Sequence, residues 1–212
     1  MIDAALLPLQ HRVLRPAAVA LAARGVTADQ ITLIGFAIGL GAVVSAAFGA
    51  FALALIGILA NRLCDGLDGM VARIHGPSRR GAFLDIALDF AFYALVPLGF
   101  AIADPAANAL PAAVLITAFV GTGSSFLAFS VIAAQDGRTA SDYPTKGILY
   151  IGGLTEGFET IAFLVLVCLF PAWFAPLAYV FAAACAVTTL TRWHQGWSAF
   201  GPAANANDPM TE

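Results

Sequence analysis

The chain has 212 residues, 60% of them hydrophobic and only 11% charged, with a formal net charge of −3. A soluble domain carries about 25% charged residues and is about half apolar, so this composition excludes an ordinary water-soluble core and fits a polytopic helical bundle in lipid. The acidic balance also excludes the basic face that nucleic-acid binding requires.

Residues 1–26 mix Leu and Val with His11, Arg12, Arg15, Pro16 and Arg24. They lack the basic, apolar, small-residue order of a cleavable signal and read as an amphipathic helix on the membrane surface. Six apolar runs of about 20 residues follow, the length that crosses a bilayer: 31–50, 51–74, 82–103, 111–134, 147–170 and 174–197. Residues 104–111, 135–146 and 171–176 are read as loops, and Gly49-Ala50 as a tight turn. The expected architecture is an all-α membrane protein, one domain over 1–200, with six transmembrane helices behind an N-terminal surface helix. Residues 201–212 are small and polar and are expected to be disordered.

The basic residues set the orientation. Arg12, Arg15, Arg24, Arg73, Arg79, Arg80, Arg138, Lys146 and Arg192 all fall on one side of a six-span layout, and the loops near residues 49, 107 and 173 carry no Lys or Arg. The positive-inside rule then puts both termini and the basic loops in the cytoplasm, in a bacterial inner membrane. Arg62 lies inside the second run and must face protein, water or a ligand, because lipid exposure would cost several kcal/mol. Cys64, Cys168 and Cys185 lie in apolar stretches with no CxxC pairing and read as small core residues.

One stretch does not suit a purely structural bundle: NRLCDGLDGMVARIHGPSRRGAFLDIALDF, residues 61–90. It places Asp65, Asp68, Asp85 and Asp89 in or near predicted spans, where carboxylates are costly and seldom idle. Asp65, Asp68, Gly69, Ala72 and Arg73 recur at helical spacing on one face, and so do Gly81, Asp85 and Asp89. Gly76-Pro77 marks the turn between the two helices. Counting along them, Asp65 and Asp89 each lie about 12 Å from the loop, with Asp68 and Asp85 in a shallower layer. Four converging anions repel one another unless a cation joins them. Hard oxygen ligands select magnesium, manganese or calcium, and such ions can hold a pyrophosphate and stabilise charge on a leaving phosphate.

The run Asp65-Gly66-Leu67-Asp68-Gly69-Met70-Val71-Ala72-Arg73, followed by Gly81, Asp85 and Asp89, resembles the signature of the CDP-alcohol phosphotransferases, also called CDP-alcohol phosphatidyltransferases. Every signature residue type is present. The stretch between Arg73 and Gly81 is one residue shorter than the family's usual spacing, which shortens the loop near the donor. RGVTADQITLIG, residues 24–35, is similar to the family's lead-in to its first span. The resemblance implies a phospholipid-synthesis transferase that moves a substituted phosphate from a CDP-linked donor, such as CDP-diacylglycerol, to a small alcohol and releases CMP. It implies magnesium or manganese on Asp65, Asp68, Asp85 and Asp89, with Asp89 also the general base. Asp65, Gly69, Ala72, Arg73 and Gly81 would bind the nucleotide, with Asn61 and Arg62 as two further candidates. Membrane lipid is an expected partner, and similar enzymes are often homodimers. The alternative reading of the same acids is a divalent metal-ion or proton-coupled transporter with an aspartate-lined path.

A second polar layer, KGILYIGGLTEGFET at 146–160, carries Glu156 and Glu159 at i, i+3 of a predicted helix. One reading makes these two acids, with Arg138 and Lys146 of the preceding loop, the acceptor-binding residues. The other makes Glu156 and Glu159 local hydrogen-bond acceptors in a glycine-rich helix packing, and Arg138 and Lys146 topology charges.

Overall fold

The structure, a computed structural model, describes residues 2–136 and 153–201, with side chains from residue 12 onward. Among the described residues it is all-helical: α1 (Ile2–Ala23), α2 (Ala28–Ala47), α3 (Phe51–His75), α4 (Arg79–Ala103), α5 (Pro105–Gln135), α6 (Gly157–Leu169) and α7 (Phe174–Ala199). Helices α2, α4, α5 and α7 with its leading turn from Pro171 are each long and apolar enough to cross a bilayer. Helix α3 is as long as α4, at 25 residues, but interrupts its apolar surface with Arg62, Asp65, Asp68 and Arg73. Helix α6 spans 13 residues, or about 20 Å, less than a hydrocarbon core of about 30 Å.

The starts of the helices follow from local chemistry. Thr27 and Gln30 form a reciprocal capping box at the head of α2, which satisfies two otherwise unpaired N–H groups. Ser78 Oγ accepts from Gly81 N at 2.9 Å at the head of α4. Between α2 and α3 the chain reverses at Gly49, whose φ of +74° suits a residue without a Cβ.

Two boundaries correct the sequence reading. Residues 104–111 are not a loop: Asp104 Oδ1 accepts from Ala107 N at 3.1 Å, Pro105 takes the first helical position, and Pro111 lies inside α5. Proline at the first position gives up an N–H that has no helical partner anyway. The predicted span 147–170 is helical only from Gly157 among its described residues. Glu156 is therefore the N-cap, with extended backbone, rather than a residue within the helix. Arg138, Lys146 and the tail from residue 202 lie outside the described residues.

Close packing of α2 against α3 and α4 positions the site. A Cβ on Gly35 would lie 2.7 Å from Cys64 Cβ, and one on Gly39 would lie 2.8 Å from a Phe92 ring carbon. Small residues at i, i+4 let helix backbones approach in this way. Beyond them a core of Ile58, Phe92, Val96, Phe100, Leu115, Leu164 and Phe174 joins α3 to α7. Phe100 stacks on Phe174 at 4.6 Å and on Phe51 at 5.0 Å. Helix α1 packs on α3 through Ala18, Ala22, Met70 and Val71. Cys168 and Cys185 are buried and Cys64 is half-buried, all as free thiols.

Candidate active site

Helices α3 and α4 present their acids to a common cleft bordered by α2. Its lining is Thr32, Gly35, Phe36, Asn61, Arg62, Asp65, Asp68, Asp85, Leu88 and Asp89. One carboxylate oxygen each from Asp65, Asp68 and Asp85 lies within 4.8 Å of the others. The spacings i, i+3 on α3 and i, i+4 on α4 turn these side chains inward, and the close approach of α2 closes the third side. The free space in this cleft is about 10 Å³, the order of one water-sized sphere.

The fourth acid has a different partner. Asp89 accepts from Arg62 through both oxygens, Oδ1 from one terminal nitrogen at 2.7 Å and Oδ2 from the other at 3.3 Å. Arg62 also lies 3.7 Å from Asp65 Oδ2. Its Nε donates to Asn61 Oδ1 at 2.8 Å, and Asn61 Nδ2 donates to the Gly35 carbonyl at 2.9 Å. Among the described residues, four acids are thus met by one guanidinium within the cleft, and the surplus negative charge, held by hard oxygens, suits a divalent cation.

Thr32 was not singled out by sequence reasoning. Its hydroxyl donates to Asp68 Oδ2 at 2.6 Å, fixing that carboxylate from α2. The capping box one turn earlier marks where α2 begins, but nothing along the chain says which α2 side chain meets Asp68.

The other signature positions lie nearer the turn between α3 and α4. Arg73 is exposed, and two of its guanidinium nitrogens lie 3.9 Å from where a Gly69 Cβ would be, an ordinary contact distance. Arg73 shares a groove with Arg12, Arg15, Pro16, Val19, Met70 and Ile74. A Cβ on Gly81 would lie 3.1 Å from Asp29 Oδ1. Asp29 is itself paired with Arg80 at 2.6 Å, a bond between the heads of α2 and α4. Asn61 and Arg62 line the cleft, but the contacts described above join them to protein groups.

The second polar layer forms a separate chamber of about 170 Å³, walled by Phe90, Tyr93, Phe119 and Phe126 and carrying Thr122, Thr155, Glu156, Thr160 and Arg192. Glu156 lines it. Glu159 instead reaches back to Glu156 N at 3.0 Å, and Gly153 N donates to Glu156 Oε1 at 3.2 Å. Arg192, read from sequence as a topology charge, is buried and donates to the Thr122 carbonyl at 3.0 Å. Tyr93 links the two sites, since its hydroxyl accepts from Arg62 at 2.9 Å.

Comparison with known proteins shows the family. Residues 25–193 match the CDP-alcohol phosphatidyltransferase family. The chain is 51% identical over 190 residues to inner membrane protein YnjF of Escherichia coli strain K12, covering 90% of each chain. Its fold is similar to phosphatidylinositol phosphate synthase PgsA1 of Mycobacterium tuberculosis. With CDP-DAG bound, that structure gives a TM-score of 0.67 at 24% identity, covering 91% of this chain and 99% of the other. In complex with manganese and citrate, it gives 0.63 at 24% identity, covering 89% and 92%. The aspartate-bearing helices α3 and α4 lie within the matched residues, and the chain belongs to the CDP-alcohol phosphatidyltransferase family of membrane enzymes.

Proposed function

We propose that this enzyme transfers a phosphatidyl group from CDP-diacylglycerol to a small water-soluble alcohol and releases CMP. The observation that carries the reading is the meeting of Asp65, Asp68 and Asp85 within 4.8 Å, beside Asp89, in a chain of this family. The PgsA1 structure with CDP-DAG bound supports a CDP-lipid donor. Family membership favours transfer over the ion-path alternative.

Asp65, Asp68 and Asp85 would hold magnesium or manganese, with Asp89 completing the site; the PgsA1 complex with manganese supports such a cation. Held by these residues, such an ion would supply positive charge toward a pyrophosphate. Gly69, Ala72 and Gly81 leave room for the cytidine portion, with Asp65 and Arg73 beside it. Arg73 offers a planar fork to phosphate oxygens. The alcohol oxygen forms a bond to the β-phosphorus as the bond from that phosphorus to the CMP oxygen breaks. The electron pair leaves with CMP, and Asp89 takes the alcohol proton, which makes a poor nucleophile competent.

The chamber beside Tyr93 is the proposed acceptor entry, with Glu156 facing the alcohol and Glu159 shaping the head of α6. The proposed topology has six crossings, α1 on the cytoplasmic surface, and both termini in the cytoplasm. The relative named as an inner membrane protein supports that membrane.

The test is purified full-length protein in nanodiscs with CDP-diacylglycerol, magnesium or manganese, and a panel of alcohols. CMP should appear in step with one phosphatidyl-alcohol. Absence of CMP with every acceptor overturns the reading.

A further inference from the structure

Among the described residues, Arg62 is the one strongly basic side chain that lines the aspartate cleft, and the proposed transfer reaction gives it no task. Its side chain is 9% exposed. The guanidinium stands 5.0 Å from the Phe92 ring centroid and 5.2 Å from that of Tyr93. Its Nε is held by Asn61, which is tied to the α2 backbone at Gly35. A planar cation stacked on two rings and anchored through Nε has little freedom to swing. Its two terminal nitrogens reach the two oxygens of Asp89, the paired geometry in which Arg orients a carboxylate. Asp89, held by this fork, is not among the three acids, Asp65, Asp68 and Asp85, whose oxygens lie within 4.8 Å of one another.

We propose that Arg62 is a positioning residue for Asp89. It fixes the carboxylate's orientation at the cleft wall and supplies a permanent counter-charge, so that Asp89 faces the incoming hydroxyl instead of being drawn fully into the cation cage. A carboxylate has about four acceptor sites, and the fork uses two, which leaves acceptor capacity for the alcohol proton. The inference rests on the proposed transfer reaction, in which Asp89 is the base. It departs from the family signature, which begins at Asp65.

The experiment compares full-length wild type, Arg62→Lys and Arg62→Met in nanodiscs. Steady-state CMP release is measured per folded molecule, and Mn2+ titration is followed by loss of the free-ion electron paramagnetic resonance signal without donor present. Arg62→Met should lower kcat by about 100-fold, the lower range for losing a positioned base, with KM for CDP-diacylglycerol unchanged. Its Mn2+ binding should be as tight as wild type or tighter, because removing a cation beside three carboxylates cannot repel Mn2+. Arg62→Lys keeps the charge but loses the fork, so kcat should still fall by about tenfold. A purely structural Arg62 would reduce the yield of folded protein and leave kcat per molecule intact. That result, an Arg62→Lys enzyme as fast as wild type, or Mn2+ binding weakened tenfold in Arg62→Met, overturns the proposal. If Arg62→Met does not fold, the Arg62→Lys rate and Mn2+ arms decide. Wild type that releases no CMP defeats the transfer reading itself, whereas wild-type turnover with indifferent Arg62 variants defeats only this inference.

Discussion

The two polar layers of this bundle bury similar chemistry and use it differently. In the chamber of α5, α6 and α7, the polar groups are largely occupied by the fold. Glu156 and Glu159 cap a helix start, Thr188 Oγ1 accepts from Thr155 N at 3.0 Å, and Arg192 meets a backbone carbonyl of α5. In the cleft of α3 and α4, like charges converge and the nearby cation is committed to Asp89. A buried polar group that completes a backbone bond removes a penalty of about 1–3 kcal/mol. Three carboxylates held together add a penalty, and that is tolerated where a ligand repays it. The contrast separates polar groups already bonded within the fold from like charges held together for a ligand better than burial does.

The sharpest break in that contrast is at Asp89. Asp89→Asn should lower CMP release by at least about 100-fold, as loss of a general base does, while circular dichroism shows the same helical content. Next come the three clustered acids. Manganese at 100 times its dissociation constant should stabilise the wild type by about 2.7 kcal/mol, read as a rise in melting temperature, and Asp85→Asn should lose most of that rise. A smaller effect tests the scaffold that brings the layers together. Gly39→Leu places bulk where a Cβ already comes within 2.8 Å of Phe92, and should cost about 1–3 kcal/mol in chemical denaturation. The smallest change should come from the other layer. Thr188→Val leaves Thr155 N without its hydroxyl acceptor and should cost about 1 kcal/mol, with kcat per folded molecule within twofold of wild type. A Thr188→Val enzyme as slow as Asp89→Asn would erase the distinction between the layers.

Much of the aspartate layer was legible along the chain because its information is local. Asp65 with Asp68, and Asp85 with Asp89, each share a helix face by period alone, and Gly76-Pro77 makes the two helices neighbours. The second layer was less legible for the same reason in reverse. Glu156 and Glu159 stand at a spacing that suits a helix interior, yet the helix begins at Gly157. The same i, i+3 spacing also builds a cap, in which the N-cap and N3 residues satisfy each other's backbone. Asp104-Pro105 is ambiguous in a similar way, since Pro105 inside the predicted loop is equally the first residue of a helix.

By itself the sequence determined the all-helical, lipid-compatible composition, the placement of the long apolar helices, and the acids that share a face within each of α3 and α4. These properties depend only on hydrophobicity and on a repeat of about 3.6 residues per turn. Tertiary structure alone decided that Thr32 meets Asp68, that Arg62 takes Asp89 and leaves three acids together, and that Arg192 turns inward to α5. Those pairings depend on the rotation and separation of helices far apart in the chain, which close contacts such as Gly39 against Phe92 set and which no single helix encodes.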